Sequence, residues 1–253
     1  MSFLGDMGNI IEIKNLTKKF FLKSPVVLRD VSLDIVKEEF ICFVGPSGCG
    51  KSTLIRLVAG LEKPTRGNVL YKGKIVKGVN PEISMVFQSF ALLPWLAVKQ
   101  NVEFGAKMSG GIDWAEKHWV QGYINMVGLD KVMDMYPRDL SGGMRQRVGI
   151  ARALVMDPKV LILDEPFSQL DLITATELRS DILNLWQGSG RTVIMISHLI
   201  EEAIELADRV VVMNMGEIKE IVPIDLPRPR HKDSKEFLQV VGRIEVIMGL
   251  KNQ

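Results

Sequence analysis

Hydrophobic positions along the chain change their spacing several times, and each change marks a different kind of element. Between Val26 and Ile35 the apolar Val31, Leu33 and Ile35 alternate with Ser32 and Asp34, the two-residue period of a strand with one wet face. Ile10 to Lys14 reads as a companion strand, and Val69, Tyr71, Ile75 and Val76, punctuated by Gly73 and Gly78, as a hairpin. These pieces predict an N-terminal antiparallel sheet. Glu39 to Val44, Val160 to Leu163 and Val193 to Ile196 are short, nearly unbroken apolar runs instead, the mark of parallel strands covered on both faces. Ile83 to Phe87 is a further strand candidate. Leu54, Ile55, Leu57, Val58 and Leu61 recur at helical spacing, as do Leu172, Ala175, Leu178, Ile182 and Leu185. From Leu92 to about Asp157 the pattern is helical: Asp113 to Val127 places Trp114, Tyr123, Ile124 and Val127 on one side, and Ser141 is the expected N-cap of a helix ending at Leu154. A last hairpin, Val210 to Val222, is expected to turn at Met215-Gly216. An extended stretch with Pro227 and Pro229 then leads to a short helix around Glu236 to Met248. The fold class these elements predict is α/β, a mixed sheet with an antiparallel β-subdomain before it and a helical subdomain inserted.

Composition narrows the function. A chain of 253 residues can bury a large core without disulfides. Its 32 Lys and Arg against 30 Asp and Glu leave a formal charge of +2 with no basic block, so nucleic acid is not an expected partner. The 2 cysteines, Cys42 and Cys49, make no disulfide framework and no zinc spacing, which suits a reducing compartment. No charge-free apolar stretch of about 18 residues occurs, and the first residues lack the basic and apolar segments of a signal peptide, so the chain is expected neither to span a membrane nor to be exported.

The chemistry is written in Gly45-Pro46-Ser47-Gly48-Cys49-Gly50-Lys51-Ser52-Thr53, set between an apolar strand and a helix. Its glycines let backbone amides approach an anion, and the helix that follows adds its positive dipole end. Lys51 is placed to reach the β- and γ-phosphates of a nucleotide, and the Ser52 hydroxyl to ligate Mg²⁺. The strand ending in Asp164-Glu165 delivers two carboxylates to the carboxyl end of a parallel sheet. Asp164 is expected in the Mg²⁺ shell and Glu165 as the general base that polarises water.

With Gln88, Leu140-Ser141-Gly142-Gly143-Met144-Arg145-Gln146-Arg147, Ser168-Gln169-Leu170-Asp171 and His198, these motifs run in the order of one known family over roughly residues 10 to 222. The chain resembles the ATP-binding subunits of ABC transporters. The resemblance implies ATP and Mg²⁺ as ligands, with Gln88 contacting Mg²⁺ and water and His198 the γ-phosphate. Phe20, or its neighbour Phe21, would stack on the adenine. It also implies a second ATPase copy packed head to tail, each ATP lying between the phosphate loop of one copy and Ser141, Gly142 and Gly143 of the other, with Asp171 in the loop at the seam. The implied output is transport through an integral membrane permease, docked near Gln88 and the segment Phe90-Ala91-Leu92-Leu93-Pro94-Trp95, with a substrate-binding protein reached through the permease. The subunit would sit peripherally at the cytoplasmic face of the cell membrane. Residues 1–222 would form the ATPase domain, with a helical subdomain at about 89–157 and a tail at 223–253. Leu92-Leu93-Pro94-Trp95, Asn101-Val102 and Leu226-Pro227-Arg228-Pro229-Arg230 look most like importers of nitrate, sulfonate and taurine. A soluble ABC ATPase of an assembly or lipid-transfer complex would use the same site. Gln169 and Leu199 depart from the usual small and acidic residues at their positions.

Overall fold

The computed structural model describes residues 8–21, 24–108 and 117–251. The chain divides into two compact units, one formed by the chain up to Asn80 together with Thr192 onward, the other by Pro81–Arg191. In chain order the first unit contributes β1 (Asn9–Lys18), β2 (Leu28–Val36), β3 (Phe40–Val44), α1 (Lys51–Val58), β4 (Arg66–Tyr71) and β5 (Lys74–Ile75). The second contributes β6 (Ile83–Val86), α2 (Val98–Met108), α3 (Lys117–Met126), α4 (Gly142–Leu154), β7 (Val160–Asp164) and α5 (Leu172–Trp186). The chain then returns to the first unit for β8 (Thr192–Ile196), α6 (Ile200–Leu206), β9 (Arg209–Asn214), β10 (Glu217–Pro223) and α7 (Lys235–Ile247).

The first unit holds an antiparallel sheet in the order β2-β1-β4-β5. In β2 Val31, Leu33 and Ile35 are buried and Ser32 and Asp34 exposed, so the two-residue period faces the way the sequence predicts. Its other strands run β10-β9-β3-β8. There β3 lies parallel to β8, pairing Phe40 with Val193 and Phe43 with Ile196, and parallel to β9, while β10 returns antiparallel. This makes the sheet mixed. All five residues of β3 and of β8 are buried, which explains why neither alternates. The second unit pairs β6 with β7 in parallel, Ile83 opposite Val160 and Val86 opposite Leu163, and carries its helices around them.

One expectation shifts. Leu61 does not belong to α1. Gly60 takes a φ of 72°, its N–H bonds Leu57 O, and Leu61 N–H bonds Arg56 O at 2.9 Å, a left-handed stop that leaves Leu61 46 % exposed. Helix α3 keeps Val120 and Ile124 buried, with Val127 buried just past its end; of the expected helix, Asp113 and Trp114 lie outside the described residues. Helix α2 carries a polar residue at a core position, which weakens its apolar pattern: Asn101 is fully buried. Its Nδ2 donates to the carbonyls of Leu93, Leu96 and Ala97, and its Oδ1 accepts from Leu93 N–H at 2.9 Å.

Candidate functional site

In the first unit the phosphate-loop sequence follows β3 directly and its last three residues, Lys51 to Thr53, begin α1. Gly45 at its start has a φ of 152°, and a Cβ there would lie 2.1 Å from the carbonyl oxygen of Met213 on β9, so only glycine lets the strand turn so close to its neighbour. The tip Pro46-Ser47-Gly48 is exposed, while Cys49, Gly50 and Lys51 are buried beneath it. Lys51, only 4 % exposed, donates to the carbonyls of Gly45 at 2.7 Å and Pro46 at 3.0 Å, with Cys49 Sγ at 3.8 Å. A buried ammonium under a loop whose tip has open space above Gly48 suits an anion. Ser52 and Thr53 follow Lys51 in the first turn of α1, half-buried.

His198 follows β8 and is exposed, flanked by the buried Ser197 and the exposed Leu199. Ser197 is held on three sides. Its N–H donates to Phe43 O at 3.1 Å, its hydroxyl donates to the buried carboxylate of Glu202 at 2.6 Å, and its oxygen accepts from Leu199 N–H at 3.0 Å. Phe20 and Phe21, at the end of β1, are 47 % and 78 % exposed, and the Lys18 ammonium lies 5.0 Å from the Phe20 ring centre. Both rings therefore offer a face to solvent, and neither is a core aromatic.

In the second unit β7 ends at Asp164, 5 % exposed, and the chain then bends sharply: Glu165 has a φ of 50°, a left-handed conformation uncommon for a side-chain-bearing residue. The Ser168 hydroxyl donates to Glu165 O at 3.1 Å and braces that bend. Gln88, just past β6, donates through Nε2 to Glu165 Oε2 at 2.6 Å and to Ser168 Oγ at 3.4 Å. Gln88, Glu165 and Ser168 thus form one hydrogen-bonded cluster at the carboxyl end of the β6–β7 pair. The sequence reading named the first two for chemistry and did not foresee that Ser168 would tie them. In this unit Asp164 and Gln88 offer hard oxygens, the donor type Mg²⁺ takes, as the Ser52 hydroxyl does in the first unit, and among the described residues no group of three or more His, Cys, Asp and Glu suited to a metal ion forms. Oxygen donors of this kind fit an ion completed by phosphate and water.

The same unit holds the second anion candidate. Ser141 caps α4, its hydroxyl accepting Met144 N–H at 3.2 Å, and Gly142 and Gly143 form the first turn. Gly143 is buried, and a Cβ there would stand 2.3 Å from Thr174 Cγ2 of α5. Asp171 caps α5: its carboxylate accepts Thr174 N–H at 3.0 Å and the Thr174 hydroxyl at 2.7 Å. Those hydrogen bonds hold its carboxyl below the usual value of 3.8. Arg145 and Arg147 are spoken for inside the unit, Arg145 by Leu140 O at 2.6 Å and Arg147 by Asp181 at 2.5 Å and Val127 O at 3.2 Å. The segment between β6 and α2 leaves Trp95 69 % exposed while Asn101 pins the backbone of Leu93 and Leu96 beside it.

The protein-family model described as ABC transporter matches residues 28–168. The nitrate import ATP-binding protein NrtD of Synechocystis is 43% identical over 221 residues, 86% of this chain and 83% of that protein. The bicarbonate transport ATP-binding protein CmpD of the same organism is 45% identical over 230 residues, 88% and 82% of the two chains. Among solved structures, the dimeric post-hydrolysis state of the ATP-binding cassette MJ0796 bound to ADP and Pi superposes with a TM-score of 0.77 at 29% identity, covering 86% of this chain and 100% of that one. The structure of cbiO1 from Clostridium perfringens, part of the ABC transporter complex cbiONQ, gives 0.78 at 28% identity over 96% and 98%.

Proposed function

The chain belongs to the ABC transporter family as an ATP-binding subunit, and from that premise we propose that it hydrolyses ATP with Mg²⁺ to drive import of a small anion through a separate membrane permease. The observation that carries the proposal is the hydrogen-bonded Gln88–Glu165–Ser168 cluster, a carboxylate held in a strained turn where a general base is wanted.

The residues divide the work as follows. Backbone amides of Gly45, Pro46, Ser47, Gly48, Cys49 and Gly50, apart from the proline's missing N–H, form the cradle with Thr53 at its end. Lys51 leaves the Gly45 and Pro46 carbonyls to hold the β- and γ-phosphates. Ser52, Gln88 and Asp164 hold Mg²⁺, which when bound offsets charge on the transferring phosphoryl group. Glu165 accepts a proton from the water that attacks the γ-phosphorus as the bond to the ADP oxygen breaks, giving ADP and phosphate. His198 donates to a γ-phosphate oxygen, and Phe20 stacks on adenine, its ring already half exposed for that contact. Ser141, Gly142, Gly143 and Asp171 act on the nucleotide of a second copy, an arrangement supported by the dimeric likeness above.

The anion assignment rests on two relatives, one named for nitrate import and the other for bicarbonate transport, since nitrate and bicarbonate are both small anions. A permease partner is supported by the likeness to a component of a transporter complex and by Trp95, a large exposed aromatic on a pinned backbone. No described helix is long and apolar enough to cross a membrane. The subunit works from the cytoplasmic face, against its permease, with a substrate-binding protein reached through that permease, a reading supported by the likeness to a component of a transporter complex. Residues 1–222 act as the ATPase domain, about 89–157 as its helical subdomain, and 223–253 as a tail. The test is phosphate release by the purified chain, alone and with its permease. The wild type should turn over with Mg²⁺, and Glu165→Gln should bind nucleotide with unchanged affinity while losing at least about a hundredfold in rate. Equal rates for the two would refute the assignment.

A further inference from the structure

Tail residues 224–230 run back along the first unit and close on the end of α6, the helix that starts two residues after His198. Arg230 bonds four backbone carbonyls: Nη1 donates to Ile204 O at 2.5 Å and Ala207 O at 2.6 Å, Nη2 to Ile224 O at 3.1 Å, and Nε to Leu226 O at 3.0 Å. Arg228 adds Leu206 O at 2.6 Å and an ion pair with Asp208 at 2.9 Å. The other Asp208 oxygen accepts Phe40 N–H at 2.9 Å, at the start of the strand that feeds the phosphate loop. Two guanidinium groups therefore take up carbonyls that the C-terminal end of α6 leaves without helical partners, where positive charge is favoured. Burial and the neighbouring Arg228 push Arg230 down to about 10, which keeps it charged at neutral pH.

The opposite end of α6 is tied as firmly. Glu202, buried in its first turn, holds the Ser197 hydroxyl at 2.6 Å, and Ser197 precedes His198. A helix of seven residues is a rod about 10 Å long, so a shift at its arginine-held end is passed to the His198 loop with little to absorb it. We propose that Arg230, aided by Arg228, is a positioning residue for hydrolysis, acting through α6 and the Glu202–Ser197 hydrogen bond to set where His198 stands. The inference rests on the reading of His198 as the γ-phosphate contact and gives the tail a role in that chemistry.

The test is a double-mutant cycle in ATPase rate, with nucleotide affinity measured in parallel by fluorescent ATP titration. Arg230→Ala should lower kcat about ten- to a hundredfold, the scale of a small misplacement, and leave KM and ATP affinity within about twofold. Arg230→Lys, which keeps charge and loses the fork, should fall between, and it carries the test if the alanine variant does not fold. Arg243→Ala, which removes a tail cation paired with Glu220 and not with α6, should match wild type. Arg230→Ala added to His198→Ala should cost no more than His198→Ala alone. Multiplying losses in the double variant, or full activity in both Arg230 variants beside an impaired His198→Ala, overturns the positioning role by itself. Full activity in His198→Ala overturns the reading of His198 and this inference together.

Discussion

Gly143 shows how much function one hydrogen atom can decide. The Thr174 methyl that a Cβ at this position would meet belongs to the residue whose N–H and hydroxyl bind the Asp171 carboxylate, so the first turn of α4 and the cap of α5 are packed as one piece. Gly143→Ala should force Thr174 aside and cost about 1–3 kcal/mol, read as a lower urea midpoint with unchanged slope, and should reduce ATP turnover as well. The sequence carries the signature glycines as letters in a motif; the clash that makes one of them obligatory needs the neighbour from α5. Glu165 differs in the same way. Its place after an apolar strand marks it as a candidate base, but its positive φ and its bond to Gln88 come from residues 77 positions apart meeting in space.

Caps and stops at the ends of elements were the part most readable from local chemistry. Ser141 and the hairpin turn at Met215-Gly216 stand where residue type places them, because a cap or a turn is satisfied by atoms only a few positions away. Gly60 ends α1 by that local logic too, yet the apolar spacing ran through it and drew Leu61 into the helix. Asp171 gives this scale a pH test. The Thr174 hydrogen bonds favour its ionised form, so the folded-state value lies below 3.8 and the cap's contribution is present above 3.8 and lost as pH falls through the folded value. Asp171→Ala should lower the unfolding midpoint at neutral pH, and the gap from wild type should narrow below about pH 3.8 in urea titrations.

At the scale of the whole molecule, the chemistry requires more than one protomer in the reading proposed here, since the phosphate loop and the signature helix act on different nucleotides. Glu165→Gln with saturating Mg²⁺ and ATP should sediment as a dimer, and Lys51→Ala under the same conditions as a monomer. A monomeric Glu165→Gln at saturation would remove the sandwich. The amino-acid sequence by itself determined the fold class, most strand and helix types, the phosphate-loop motif, the paired carboxylates and the Ser141 cap, because periodicity, glycine content and short-range hydrogen bonding act over a few residues. Tertiary structure alone decided that Asn101 pins the segment beside Trp95, that Ser168 and Gln88 brace Glu165, and that two arginines near the end of the chain grip the helix next to His198. Each of those depends on backbone carbonyls or carboxylates brought together by folding, and a carbonyl is the same in every residue, so no letter in the sequence announces which one will be bound.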